Sequence, residues 1–242
     1  MKKLNAYQMK LICALLMVLD HISFFIPGEL GGVFHVISRC VSPVFAYLVV
    51  EGVFHTRDIK KYNIRLFGWA IGMQLGNSLV NYLYVGREVS VNNNIFLTLS
   101  LGLMVVTMLK YAKELEGAKK IAINILVIIP VLMSVLCEGG MVVIPFMVIS
   151  FCFRDNKKVK YILYVLFSML LFKSNFVNYG DLRTTIDMLM FNSDFMFILA
   201  IPFIASYDGT RGPSAVWNKY FFYVFYPAHL WIIATITYWV KG

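Results

Sequence analysis

Two histidines lie deep inside apolar stretches of the sequence, where ionisable side chains are rare. His21 follows Asp20 in the run 11–26 (LICALLMVLDHISFFI), and His229 lies about ten residues into the last apolar run. At about 1.5 Å of rise per residue, each ring would sit near the middle of a hydrocarbon core about 30 Å thick. An ionisable residue there costs at least about 2.5 kcal/mol, which indicates a function. Because histidine titrates near neutral pH, both rings are candidates for proton transfer; the alternative is that they join helices as buried polar groups.

The second apolar segment carries three further ionisable groups. Arg39 lies near its predicted outer end, and Glu51 and His55 are four residues apart toward the opposite end, on one helical face. Pro43 removes a helical hydrogen bond and predicts a kink between these groups. Two interpretations remain open: the charges bind a substrate, or they form structural ion pairs, for example Arg39 with Asp20.

The composition indicates a membrane protein. Sixty per cent of the residues are hydrophobic, 14% are charged and the mean hydropathy is +0.72, which excludes an ordinary soluble domain. We predict an all-α fold, a polytopic integral membrane bundle of about nine (eight to ten) transmembrane helices, with one domain over residues 1–242. The predicted spans are 11–26, 33–56, 64–84, 94–109, 121–136, 141–153, 161–172, a segment ending near Ser206, and 220–240.

The lysines and arginines are unevenly distributed among the predicted loops. With nine spans and a cytosolic N-terminus, the cytosolic side carries 17 of the 22: Lys2, Lys3, Lys10, Arg57, Lys60, Lys61, Arg65, Lys110, Lys113, Lys119, Lys120, Arg154, Lys157, Lys158, Lys160, Arg211 and Lys219. The outer side holds Arg87, Lys173, Arg183 and Lys241, and Arg39 remains within the membrane. The positive-inside rule accounts for this distribution, so the net charge of +9 does not indicate a nucleic-acid partner.

The sequence predicts no metal site. Its four histidines show no spacing typical of metal ligands, and its four cysteines show no CxxC spacing. We expect the cysteines to pack as small hydrophobic side chains. His35, near the predicted outer surface, fits an ordinary interfacial residue.

The loop before the last span contains the sequence YDGTRG. Asp208 and Gly209 are typical of a tight turn, in which glycine allows unusual backbone angles. A turn of this kind can present backbone N–H groups and Arg211 to a phosphate, although a bare turn is the commoner meaning.

Four blocks of the sequence together resemble the TraX family: LDHI, ISRCVSPVFAYLVVEGVFHTRDIKKYNIRL, NNNIFLTLSLGL and SYDGTRGPSAVWNKYFFYVFYPAHL. The likeness covers most of the chain and is strongest at both ends. The founding member of that family is associated with N-terminal acetylation of conjugative F-pilin. The family is similar in turn to transmembrane acyltransferases that use cytosolic acyl-CoA and an intramembrane histidine. The turn at 137–140 (CEGG) departs from the aspartate and aromatic residue that many relatives carry there, so the acceptor stays open.

The resemblance implies an acetyltransferase of the cell membrane that moves acetyl from acetyl-CoA to an amine or hydroxyl of a peptide, pilin-like or small-molecule acceptor. Attack on a thioester needs a general base and a donor for the oxyanion. His21 is the first candidate base, with Asp20 tuning the local charge, and His229 is the alternative base or the donor. Substrate binding falls to Arg39, Glu51 and His55, and cofactor binding to Arg211, Asp208 and Gly209. Membrane lipids are the other expected partners.

A proton-coupled transporter or channel is the alternative function. The same buried groups could form a proton or substrate relay, and prolines at 43, 145 and 227 could break helices as transporters do. The sequence shows no inverted repeat, which weighs against a transporter. A non-catalytic assembly factor would leave the buried histidines unexplained.

The charge distribution predicts the orientation of the chain. Reporter fusions after Lys120 and Lys158 should both report a cytosolic location, because both loops are rich in lysine. Alkaline phosphatase activity at either fusion, which requires export, would reverse the predicted orientation.

Overall fold

Helices dominate the computed structural model, which describes residues 3–22, 29–86, 89–213 and 215–240. The end of the first predicted span (23–26) lies outside the described residues. So do Lys2, Arg87 and Lys241 of the charge distribution. The helices are α1 Ala6–Ile22, α2 Glu29–Ser38, α3 Val41–His55, α4 Ile59–Leu83, α5 Ile95–Ala112, α6 Gly117–Leu126, α7 Ile128–Ser134, α8 Gly140–Cys152, α9 Lys157–Asn175, α10 Leu182–Phe191, a 3₁₀ helix Ser193–Leu199, α11 Ala200–Ser206 and α12 Val216–Val240.

Four helical stretches of the described residues are long and apolar enough to cross a membrane: Leu30–His55, Ile95–Ala112, Gly117–Ser134 and Tyr220–Val240. A fifth arises if α10 and the following stretch Ser193–Ser206, bent by 62°, form one broken span. Helices also occupy the other predicted segments, but α1, α4, α8 and α9 are too short or too polar to be counted in this way. The all-α fold is therefore confirmed among the described residues, and these apolar helices fit the predicted membrane protein. The count of nine spans is not confirmed.

The helices α6 and α7 expose mainly apolar side chains. Only 11% of the window Gly117–Ser134 is buried, and its exposed side chains include Ile121, Ile125, Ile128 and Leu132. A row of exposed aliphatic side chains of this length is unfavourable in water and favourable against lipid tails. These helices therefore present a lipid-facing surface.

The second predicted span is interrupted at Arg39 and Cys40, between α2 and α3. Pro43 has no N–H to bond the carbonyl of Arg39, four residues earlier, and its ring crowds that carbonyl. The interruption therefore lies one turn before the kink that the sequence predicted at Pro43. Backbone bonding resumes with Val44 N to Cys40 O at 3.0 Å, and the stretch Leu30–His55 remains one candidate span.

The mixed segment 173–194, in which the sequence left a re-entrant or additional segment open, contains the helix α10. Asp181 caps it, because its carboxylate accepts a 2.8 Å hydrogen bond from the Thr184 backbone N–H. A 62° bend then leads into the 3₁₀ helix and α11, so the eighth predicted span is composed of two short helices. The sequence carries no clear signal for α10, because its polar and apolar residues are mixed and form no long apolar run.

The chain forms two compact units, the first from residues 1–45 and 156–233, the second from 46–155 and 234–242. In the first unit α2 packs against α1, α10 and the 3₁₀ helix, and α9 packs against the same 3₁₀ helix. In the second unit α5 is central and contacts α4, α6, α7 and α8. Most of α5 is buried, including Leu103 and Val105, because helices surround it on several sides.

Alanine substitutions at two glycines should affect stability differently. Gly140 lies at the turn between α7 and α8, and Gly68 lies within α4. A Cβ at Gly140 would collide with the backbone carbonyl of Ser134, whereas a Cβ at Gly68 meets nothing within 4 Å. We expect Gly140→Ala to lower the stability in detergent by at least about 1–3 kcal/mol, and Gly68→Ala to be neutral or stabilising. Thermal unfolding of both variants measures the difference. Equal melting temperatures would show that the turn relaxes without cost.

Candidate functional site

The structure brings the two buried histidines together. The ring of His21, near the C-terminal end of α1, and the ring of His229, in the middle of α12, have centroids 5.1 Å apart at an angle of 47°. Both belong to the first unit. The sequence could place each histidine at a depth along its helix but could not show that they face one another.

His229 has one ring nitrogen anchored and the other unpaired. Nδ1 lies 3.0 Å from the carbonyl oxygen of Phe225, one turn earlier, and the ring stacks on Phe225 with centroids 5.2 Å apart. Because a carbonyl oxygen only accepts, Nδ1 carries the hydrogen, and in the neutral ring Nε2 then offers a lone pair. Nε2 is buried and has no hydrogen-bond partner among the residues that the structure describes. A lone pair held in this way can accept a proton.

Asp20 is bound by two neighbours on the second apolar segment. Its carboxylate accepts hydrogen bonds from Arg39 at 3.0 and 3.3 Å and lies 3.1 Å from Nδ1 of His35. The structural alternative for Arg39, an ion pair with Asp20, is therefore present. Since Arg39 lies in the interruption between α2 and α3, this ion pair joins α1 to the break.

Sequence reasoning missed two members of this ion cluster, His35 and Asp194. His35 contacts Asp20 through Nδ1 and the Phe191 carbonyl through Nε2 at 3.2 Å, so it is not the ordinary interfacial residue expected. Asp194 lies 3.7 Å from Arg39 and follows the bend after α10. The spacing of four residues between His35 and Arg39 was a usable signal, because it places both on one helical face.

In the second unit Glu51 is paired with a residue that the sequence did not single out for this role. Arg154, just after α8, donates two hydrogen bonds of 3.0 Å to the two carboxylate oxygens, and Glu51 is only 6% exposed. His55 shares the helical face of Glu51 as predicted, but its Nδ1 bonds the Glu51 backbone carbonyl at 2.8 Å. His55 is exposed, and Glu51 is committed to an ion pair.

The YDGTRG segment forms the tight turn that the sequence predicted. The Asp208 carboxylate accepts hydrogen bonds of 2.7 Å from both the backbone N–H and the hydroxyl of Thr210, and these bonds lower the pKa of Asp208. Gly209 has a φ of 83°, which favours glycine. Arg211 is exposed, and the Thr210 carbonyl accepts a 2.9 Å bond from the backbone N–H of Ala6, so the turn is attached to the start of α1.

Metal-ligating side chains do not converge in the part of the chain that the structure describes. No group of three or more histidines, cysteines, aspartates or glutamates is arranged to hold a metal ion there. The chemistry that the grouped side chains do offer is proton transfer at the histidine pair and ion pairing around Asp20 and Glu51.

Comparison with known proteins identifies the family. Residues 5–237 match the family model described as TraX protein. The chain belongs to the TraX family. A similar protein, the probable fimbrial assembly protein FimC of serogroup H1 from Dichelobacter nodosus, is 24% identical, over 96% of this chain and 95% of that relative. No solved structure matches the chain.

The TraX match confirms the resemblance carried by the four sequence blocks. Because it runs from residue 5 to residue 237, it includes every candidate residue of both units. The matched range therefore includes the histidine pair, the ion cluster around Asp20 and the ion pair of Glu51.

Because Glu51 is buried, removing Arg154 alone should cost more stability than removing both charges of the pair. Arg154→Ala leaves a buried carboxylate without its cation and should cost about 2 kcal/mol, below the full cost of a completely buried pair because Arg154 is partly exposed. Adding Glu51→Gln should recover part of that loss, as measured by thermal unfolding. The control is Lys61→Ala, which removes an exposed 3.4 Å pair with Asp58 and should cost less than about 1 kcal/mol. A double variant no more stable than Arg154→Ala would contradict this account.

Proposed function

We propose that this TraX-family protein is a membrane-embedded acyltransferase that moves an acetyl group from acetyl-CoA to an amine or hydroxyl acceptor. The observation that carries the proposal is the buried Nε2 of His229, which has no hydrogen-bond partner among the described residues and belongs to a ring packed beside His21. Buried polar atoms are usually hydrogen-bonded, so an unpaired one is a place where a substrate group can bind.

The relative's name supports a role connected with pili. FimC of Dichelobacter nodosus is described as a probable fimbrial assembly protein, and the alignment covers nearly all of both chains. We propose that the acceptor is the N-terminal amine of a pilin-like peptide, which would make the modification one step of pilus assembly. A small hydroxyl-bearing acceptor is the second choice.

The proposed reaction uses His229 as the general base. Nε2 would take a proton from the acceptor amine as its nitrogen attacks the thioester carbonyl carbon. The tetrahedral adduct would then expel the thiolate, and the His229 imidazolium would return the proton to it, leaving coenzyme A and the acetylated acceptor. The bond from Nδ1 to the Phe225 carbonyl supports this role, because it fixes the ring and its tautomer.

His21 takes the second role in the proposal. The sequence ranked it first as base, but the anchored Nδ1 of His229 favours His229, and His21 is then the candidate donor to the developing oxyanion. Asp20 stays a tuning residue, since its carboxylate is bound by Arg39 and His35. Arg39 would accordingly act through Asp20, holding α1 against the helix break.

The remaining candidates would bind the two substrates. Arg211 is exposed in the turn, and we propose that it meets a phosphate of acyl-CoA entering from the cytosolic side, with Gly209 allowing close approach. Asp208 would shape the turn through Thr210. For the acceptor, His55 offers an exposed ring, and Glu51 would act only through its pair with Arg154.

We further propose that the protein resides in the cell membrane with its N-terminus in the cytosol. The positive-inside distribution of lysines and arginines supports this orientation, and the lysine-rich loops would face the soluble acetyl-CoA pool.

A proton-coupled transporter is the second candidate, and the interrupted helices favour it. Arg39 lies in the break between α2 and α3, and its partner Asp194 follows the 62° bend after α10. Broken helices that meet charged groups are characteristic of transporter binding sites. Incubation of the purified protein with radiolabelled acetyl-CoA separates the candidates, because a transporter would neither hydrolyse it nor transfer the label.

The histidine pair predicts a large effect on rate. His229→Asn should lower acetyl transfer to a free-amine peptide by about a hundredfold to ten-thousandfold, as expected for loss of a general base. His21→Asn should lower it by a smaller factor. If the rings only join helices, loss of either should cost about 0.6 kcal/mol of stability and leave the rate nearly unchanged.

His35→Asn is the matched control, since it removes another histidine of the first unit, one that bonds Asp20 and does not belong to the pair. We expect less than a tenfold loss of rate from it. Near wild-type transfer by both His21→Asn and His229→Asn would identify the pair as packing, and loss in His21→Asn alone would move the base to His21.

A further inference from the structure

Cationic and aromatic side chains alternate where three helices of the second unit end, and the proposed reaction does not use them. They follow or close α3, α5 and α8, whose last residues are His55, Ala112 and Cys152. We call this group the cation–aromatic cluster, and its members are Phe54, Lys110, Lys113, Phe151 and Arg154.

The two rings of the cluster form a platform for the cations. Phe54 and Phe151 stack with centroids 5.7 Å apart and an angle of 24°. The Arg154 guanidinium lies 4.3 Å from the Phe54 centroid, and the Lys113 ammonium lies 4.5 Å from that of Phe151. Cation–π contacts of this length hold a cation over the ring face.

Lys110 is held by the same platform. Its Nζ lies 5.8 Å from the Phe54 centroid and donates a 3.3 Å hydrogen bond to the backbone carbonyl of Val53. Both contacts restrict the ammonium group without cancelling its charge, since neither partner is an anion.

The charges within the cluster are not balanced. Arg154 is neutralised by Glu51 at 3.0 Å and also lies 3.8 Å from Asp155. Neither Lys110 nor Lys113 takes part in an ion pair among the described residues. The cluster therefore keeps two oriented ammonium groups that can still bind an anion.

The position of the cluster indicates where such an anion would come from. Apolar helices end at the boundary between hydrocarbon and water, which is also the level of phospholipid phosphates. Phe54 is 38% exposed, and aromatic side chains favour this interfacial level.

We propose that the cation–aromatic cluster binds a phosphate ester at the membrane surface, with the ammonium groups of Lys110 and Lys113 on the phosphate oxygens and Phe54 beside them. Two sources share this chemistry: the headgroup of an anionic phospholipid, and the phosphates of a soluble ester such as coenzyme A. The site does not depend on acetyl transfer, because it contains neither histidine of the pair.

The test uses the full chain in nanodiscs and two phosphate probes. The first arm measures retention of phosphatidylglycerol by native mass spectrometry as its fraction in phosphatidylcholine rises. The second arm measures affinity for coenzyme A and for dephospho-coenzyme A in phosphatidylcholine alone. The test variant is Lys110→Gln with Lys113→Gln, and the matched control is Lys119→Gln with Lys120→Gln, two exposed lysines at the start of α6.

The test variant should weaken binding in at least one arm by about fivefold for each lysine, and the control should not. Loss in the first arm alone assigns the site to a lipid. Loss in the second arm, together with loss of any preference for coenzyme A over its dephospho form, assigns it to a soluble phosphate ester. Equal effects of the two double variants, or none, would overturn the proposal.

If the test variant does not fold, Lys113→Gln alone replaces it, because Lys113 is exposed and follows the last residue of α5. Wild-type protein that binds here but transfers no acetyl would disprove the proposed reaction only.

Discussion

A carboxylate withdrawn from water in a membrane protein needs a cation beside it, and such a pair lies in the described part of each unit of this TraX protein. Asp20 is bound by Arg39 in the first unit, and Glu51 by Arg154 in the second. Breaking such a pair leaves an uncompensated charge, which is far more costly than removing both partners. The pairs therefore determine which helices must stay together: α1 with the α2–α3 break, and α3 with the end of α8.

The helix breaks and the ion cluster depend on each other. Pro43 leaves the Arg39 carbonyl without its helical partner, and the side chain of the same arginine binds Asp20 and approaches Asp194. At the second break His35 bonds the backbone carbonyl of Phe191, the last residue of α10. Polar side chains thus satisfy backbone groups that a continuous helix would satisfy by itself, as the bilayer requires.

The histidine pair differs from both ion pairs because one of its nitrogens is left unsatisfied. Nδ1 of His229 is anchored to the helix backbone, whereas Nε2 is buried without a partner among the described residues. A purely structural histidine would be expected to use both nitrogens, since an unpaired buried polar atom costs about 1–3 kcal/mol. This asymmetry is the physical reason for placing the proposed chemistry at His229.

The sequence alone indicated the TraX family through its four blocks, and it predicted helices for the apolar segments that the structure describes, because composition and apolar runs are local properties. It also predicted where His21 and His229 lie along their helices, since that position follows from residue count. It could not determine which side chains on different helices contact one another. Arg154 lies 103 residues from Glu51, and Phe191 lies 156 residues from His35, so only helix packing decided these contacts. The polar helix α10 and the bend after it likewise became visible only in the tertiary structure, because neighbouring helices rather than an apolar run of their own stabilise them.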